Sequence, residues 1–182
     1  RTSLDLPGRQ EELLKAVCKL GKPTILVMID GRASSINYAK KYVPAILHAW
    51  FPGEFCGQAV AETIFGDNNP GGRLAVTFPK SVGQIPFAFP FKPGSDSGCG
   101  TSVTGALFPF GHGLSYTTFE YSNLRISPEQ QGVLGEVKVS CTVKNTGKRI
   151  GDEVVQLYLR DEISSVTTYV KILRGFERIT LQ

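Results

Sequence analysis

The hydrophobic period changes part-way along this 182-residue chain, and that change limits the folds open to it. In the first half, apolar residues recur at helical spacing or in short continuous runs. In the last third they alternate strictly with polar ones: Val137, Val139, Cys141 and Val143 against Lys138, Ser140, Thr142 and Lys144. A period near 3.6 builds helices and a period of 2 builds half-buried strands. A chain that switches from one to the other reads as an α/β layer followed by an all-β unit.

In the first half, Leu13, Leu14, Val17 and Cys18 predict a helix between Pro7 and Gly21. The run Thr24–Ile29 is apolar on both faces, as a parallel strand covered from two sides must be. Asp30-Gly31 ends it in a turn, and a second strand is expected at Ala45–Ala49. A helix follows over Glu54–Phe65, stopped by Gly66. The cluster Asn68-Asn-Pro-Gly-Gly72 is a turn, and Leu74–Phe78 reads as a third strand. This order predicts a partial α/β sandwich with a mainly parallel sheet.

The pattern dissolves between Pro79 and Gly113, where Pro, Gly, Ser and Phe dominate. Long loops of this kind are usually functional or connecting. Beyond it, Phe119–Ile126, the strand through Val139, a partner strand through Val155, Leu157 and Leu159, and Ile172–Ile179 form an incomplete β-sandwich.

Charge excludes one class of function. The net charge is +4, and neither half gathers Lys and Arg into a patch, so a nucleic-acid partner is not expected. The longest apolar run is strand length, far short of the ~20 residues of a membrane span. Cys18, Cys56, Cys99 and Cys141 are widely spaced with no C-x-x-C, and His48 and His112 stand apart. No metal site and no cofactor follow from such spacing. Cys18 and Cys141 read as buried free thiols, and Cys99 lies in a Gly/Ser loop.

Several segments, in order, carry a family resemblance. They are Trp50-Phe-Pro-Gly-Glu54, Phe65–Leu74, Thr77-Phe-Pro79, Ser81-Val-Gly-Gln-Ile-Pro86, Phe108–Thr117, Thr142–Gly147 and Leu173-Arg-Gly-Phe-Glu177. Together they resemble the carboxy-terminal part of glycoside hydrolase family 3 of the β-glucosidase type. The resemblance implies three regions in this chain. Residues 1–90 would be the end of the family's α/β sandwich, 91–116 a connection, and 117–182 the start of a fibronectin type III-like domain. It also implies a preceding barrel against which this part packs, and an extracellular or periplasmic location.

The implied reaction is retaining hydrolysis of terminal β-D-glucosyl residues from oligo- or polysaccharide. That chemistry needs two carboxyl groups about 5–5.5 Å apart. By the resemblance the nucleophile belongs to the barrel, and the acid/base glutamate to a loop just before the segment matching Arg1–Pro7. No residue of this chain therefore takes a catalytic role. Asp30, Glu54 and Asp67 read as turn or helix-start residues, His48 and Trp50 as core, and His112 as packing. The loop over 87–105 is the expected contributor to substrate binding, with Phe89, Phe91 and Asp96 as its candidates, although Phe87, Phe89 and Phe91 also suit anchoring on the core. The alternatives are a β-xylosidase or arabinofuranosidase of the same family, and a non-catalytic carbohydrate-binding or structural module.

Overall fold

The computed structural model describes residues 2–96, 102–128, 132 and 135–182. Cys99 and part of the 87–105 loop lie outside the described residues.

The first element, α1, spans Gln10–Lys19 and turns Leu14 into the core. It starts three residues after Pro7, because Gly8 takes a left-handed φ of 61° and delays the helix. Glu11 and Glu12 sit in its first turn and Lys19 in its last, which suits the helix dipole. Strand β1 (Ile25–Met28) pairs in parallel with β2 (Ala45–His48), Ile25 opposite Ala45. Between them lies α2, Asn37–Tyr42, which the sequence reading missed. Ile36, Ala39 and Val43 do recur at helical spacing and are all buried, but six residues are too short for periodicity to stand out. Helix α3 (Cys56–Phe65) ends at Gly66, whose φ of 87° lets its N–H reach Glu62 and Thr63 carbonyls.

The expected mainly parallel sheet is a single parallel pair of strands. Leu74–Phe78 is not a strand. It pairs irregularly with 107–112 through Leu74 N to His112 O (2.8 Å), Gly111 N to Leu74 O (2.7 Å) and Phe78 N to Phe108 O (2.9 Å). Pro79 and Pro109 lack the N–H groups that a continued ladder requires. Nor is β1 covered on both faces, since Ile25 and neighbouring Ile29 are 48% and 54% exposed.

The last third holds β3 (Phe119–Ser127), β4 (Lys138–Asn145), β5 (Gly151–Leu159) and β6 (Ile172–Leu181). The expected pairing of β4 with β5 does not occur. β4 pairs antiparallel with β3, and β5 antiparallel with β6. Asn145 explains part of this: its Nδ2 donates to Arg149 O and its Oδ1 accepts from Gly147 N, making a turn that carries the chain across to the other pair. Cys141 is exposed, not buried as expected, although it shares the strand face of half-buried Val139 and Val143. Cys18 is a free thiol packed against the core, but only half-buried where full burial was expected.

The core is Leu14, Met28, Ile36, Ala39, Val43, Phe78 and Leu107, all from the first 116 residues. The accessible surface is 12711 Å², against roughly 8,600 Å² for a compact monomer of this mass. Phe51, Phe55, Phe65 and Leu114 are among the exposed apolar side chains.

The two parts meet at the 66–73 turn. Asn69 holds three groups at once: its Oδ1 accepts from Ser115 Oγ (2.9 Å) and Tyr116 N (2.8 Å), and its Nδ2 donates to Ile150 O (3.0 Å). Tyr116 OH donates to Thr63 O at 2.7 Å. The backbone at Gly113 passes so close that a Cβ there would lie 2.2 Å from Gly72 O. That neighbour is backbone and cannot swing aside. Gly113→Ala is therefore expected to lower stability by about 2 kcal/mol, read as a shifted denaturation midpoint with an unchanged slope.

Candidate functional site

The carboxyl end of the parallel pair gathers the first cluster. Asp30 leaves β1 there, and His48 ends β2 beside it. His48 Nε2 lies 3.0 Å from Asp30 Oδ1, while Asp30 also accepts from Ser34 Oγ (2.9 Å) and Arg32 N (3.3 Å). Asp30 is thus a turn residue whose carboxylate is occupied by its own loop. The His48 ring packs edge-on against Trp50 (centroids 4.3 Å) and Phe78 (5.2 Å), and its Nδ1 is buried without a hydrogen-bond partner. Trp50 adopts φ 54° and packs on the core, as the sequence reading expected of it.

A cavity of about 550 Å³ opens beside this cluster, lined among others by His48, Trp50, Arg73, Phe78, Phe108 and His112. His112 stacks on Phe108 at 5.4 Å, a packing role. Burial, then the charges of Lys40 and Arg73, hold its imidazole below the usual histidine range. The lining contains no carboxylate. A second opening, of about 560 Å³, has Asp161 as its single acid. Neither brings two carboxyl groups together. Among the described residues no group of three His, Cys, Asp or Glu is placed to hold a metal ion, and no helix is long and apolar enough to cross a membrane.

The loop after Pro79 is organised by a residue that the sequence reading passed over. Gln84 is fully buried. Its Oε1 accepts from Lys80 N (2.7 Å) and Ser81 N (3.3 Å). Its Nε2 donates to Asp96 O (3.2 Å), Val103 O (3.3 Å) and Gly105 O (3.0 Å). The signal was present: Ser81-x-x-Gln84 is a capping box, here on a one-turn 3₁₀ helix, Val82–Gln84. Phe89 stacks on Phe110 (4.4 Å, 12° between planes) and meets Tyr158 of β5 edge-on. Phe91 lies 6.4 Å from Phe87, and its carbonyl accepts from Val170 N at 2.9 Å. Asp96 is half-buried, and its carbonyl is one of the three held by Gln84. One loop thus carries all three candidates, with Phe89 fastened to the β-rich part.

A further cluster joins the two parts. Arg73 is ion-paired with Glu153 of β5, and both side chains are nearly buried, at 11% and 12% exposure. Tyr121 of β3 donates its hydroxyl to the other oxygen of Glu153 at 2.7 Å.

Two regions of the chain match known protein families. Residues 1–116 match the glycosyl hydrolase family 3 C-terminal domain, and residues 153–182 a fibronectin type III-like domain. The chain belongs to glycosyl hydrolase family 3. This family 3 chain is 50% identical to a β-xylosidase of Formosa agariphila, over its whole length and 26% of that protein. It is 42% identical to a periplasmic β-glucosidase of Salmonella typhimurium, again over its whole length and 25% of the relative. Among solved structures, a β-glucosidase from Erythrobacter marinus superposes with a TM-score of 0.93 at 43% identity, covering 100% of this chain and 24% of that one. A Listeria innocua β-glucosidase in complex with glucose gives 0.88 at 32% identity, over 99% of this chain and 26% of that one. The family 3 chain thus spans about a quarter of the length of these relatives.

Proposed function

We propose that this chain is the non-catalytic portion of a retaining exo-β-glycosidase that releases terminal β-D-glucosyl residues from β-glucosides or β-glucans. The observation that carries the reading is the full-length match to a β-glucosidase structure at TM-score 0.93. Both carboxyl groups of the reaction lie outside these 182 residues: the nucleophile in a barrel domain, the acid/base upstream of Arg1. The chain's own task is to pack against the barrel and hold the 87–105 loop at the substrate, with Phe89, Phe91 and Asp96 contributing contacts. The division is 1–90 for the α/β part, 91–116 for the connection and 117–182 for the fibronectin-like part. An extracellular or periplasmic location accords with the Salmonella relative, which is periplasmic.

The test compares aryl β-glucoside with aryl β-xyloside hydrolysis by the full-length protein. Faster glucoside turnover is expected. Dominant xyloside turnover would establish the rival reading that the 50% identity to a β-xylosidase favours. The isolated 182-residue chain is expected to hydrolyse neither, and substantial hydrolysis by it would overturn the placement of the carboxylates.

A further inference from the structure

A groove where the loop meets the β5–β6 connection is built from backbone features of both parts. Its lining includes Lys92, Arg160, Asp161, Thr167, Tyr169 and Arg174. Three local structures bring them together. The first is the turn at 92–95, where Ser95 Oγ donates to Lys92 O (2.7 Å) and accepts from Lys92 N (3.0 Å), fixing the backbone that carries Lys92. The second is the bond from Val170 N to Phe91 O (2.9 Å), which ties the β5–β6 connection to that same turn. The third is a β-bulge in β6. Leu157 opposes Gly175 while Tyr158 opposes Leu173, so Arg174 is the extra, unpaired residue. Bulges re-aim a side chain out of the regular alternation, and this one lines the groove.

The chemistry of the lining is one-sided. Three cations face one carboxylate, Asp161. Arg160 is partly engaged by Glu162 at 3.3 Å, whereas Lys92 and Arg174 make no ion pair among the described residues. Tyr169 keeps 46% of its surface open, and Thr167 supplies a hydroxyl beside it. A volume of about 560 Å³ is within the range of small-ligand sites. Cations recognise carboxylates, a phenol ring suits the apolar face of a pyranose, and hydroxyls bond hydroxyls.

We propose that this groove, between the 92–95 turn and the β5–β6 connection, binds an acidic oligosaccharide, one that carries uronate carboxylates. The proposal rests on the glycosidase reading only for the expectation that sugars reach this surface. Binding can be measured without turnover, so the two readings fail separately.

The experiment is calorimetric titration of the full-length protein with trigalacturonate, with cellotriose as the neutral control. Weak, salt-sensitive binding of the acidic trimer is expected, lost at about 0.5 M salt. Arg174→Ala and Lys92→Ala should each weaken it by about three- to five-fold, and Tyr169→Ala by a similar factor. Arg174→Lys should retain most of the affinity. The side chains are exposed, so the variants should melt like the parent. Four outcomes would overturn the proposal: no binding of the trimer, equal binding of cellotriose, variants that bind like wild type, or inorganic phosphate displacing the trimer at equal concentration. Retained binding in a protein that hydrolyses no glycoside would refute the proposed activity and support the groove.

Discussion

Arg73→Ala is expected to destabilise the folded protein by about 3 kcal/mol, the cost of leaving a nearly buried carboxylate without its cation. Arg73 and Glu153 are 11% and 12% exposed, so solvent screens the pair weakly. Without the guanidinium, Glu153 would keep only the Tyr121 hydroxyl among its described side-chain partners. Chemical denaturation of the full-length protein, or of this chain if it is refolded, measures the loss. The double variant Arg73→Leu/Glu153→Leu should recover most of it, since removing both charges also removes the desolvation penalty. A single variant as stable as wild type would show that the pair contributes little.

The same cluster sets an alkaline limit. Burial first, then the hydrogen bond to Glu153 and its negative charge, push the Tyr121 phenol well above the ordinary tyrosine range. The folded state therefore holds this proton more tightly than the unfolded chain does. The contribution is complete below the unfolded value of about 10 and is lost as pH rises past it. Tyr121→Phe should flatten the fall in stability above about pH 10; an unchanged slope would assign that fall to other groups.

The second large effect is expected from Gln84→Ala, at about 4 kcal/mol. Its amide makes five hydrogen bonds with no solvent access. Each unmet buried backbone group costs about 1–3 kcal/mol, reduced where water enters the space left behind. The loss should also be local. Amide exchange at Lys80 and Ser81 should accelerate far more than in α1, because those N–H groups lose their acceptor. Uniform acceleration along the chain would instead indicate global unfolding. Gln84→Glu should be no better, since a carboxylate cannot donate to the carbonyls of Asp96, Val103 and Gly105.

Much of this architecture was legible where period and punctuation agree. α1, β1, β2, α3 and the outer strands β3 and β6 lie within a few residues of their expected bounds. Gly66 and Gly21 both take left-handed φ where a stop was expected. What escaped was non-local. Whether β4 joins β3 or β5 depends on side-chain bonds at Asn145, and alternation cannot choose between neighbours. Leu74–Phe78 has a strand's composition, but its partner segment is broken by Pro109 and Gly111. At the site, the roles of Asp30, His48 and His112 were readable from their neighbours in sequence. The reach of Arg73 to Glu153 spans the two parts and left no local trace. Gln84 did leave one, in its capping box, but a capping box does not announce that the same amide will collect three distant carbonyls.

The β-structure has a mechanical consequence. Its ladders stop at two strands each, so among the described residues no backbone hydrogen bond carries order from the β3–β4 ribbon into the β5–β6 ribbon. The phenol of Tyr121 on the carboxylate of Glu153, and the Asn145 amide on Leu181 O, bridge that gap. Fraying that starts in one ribbon has a natural firebreak at these contacts, and how far it spreads is decided by side chains.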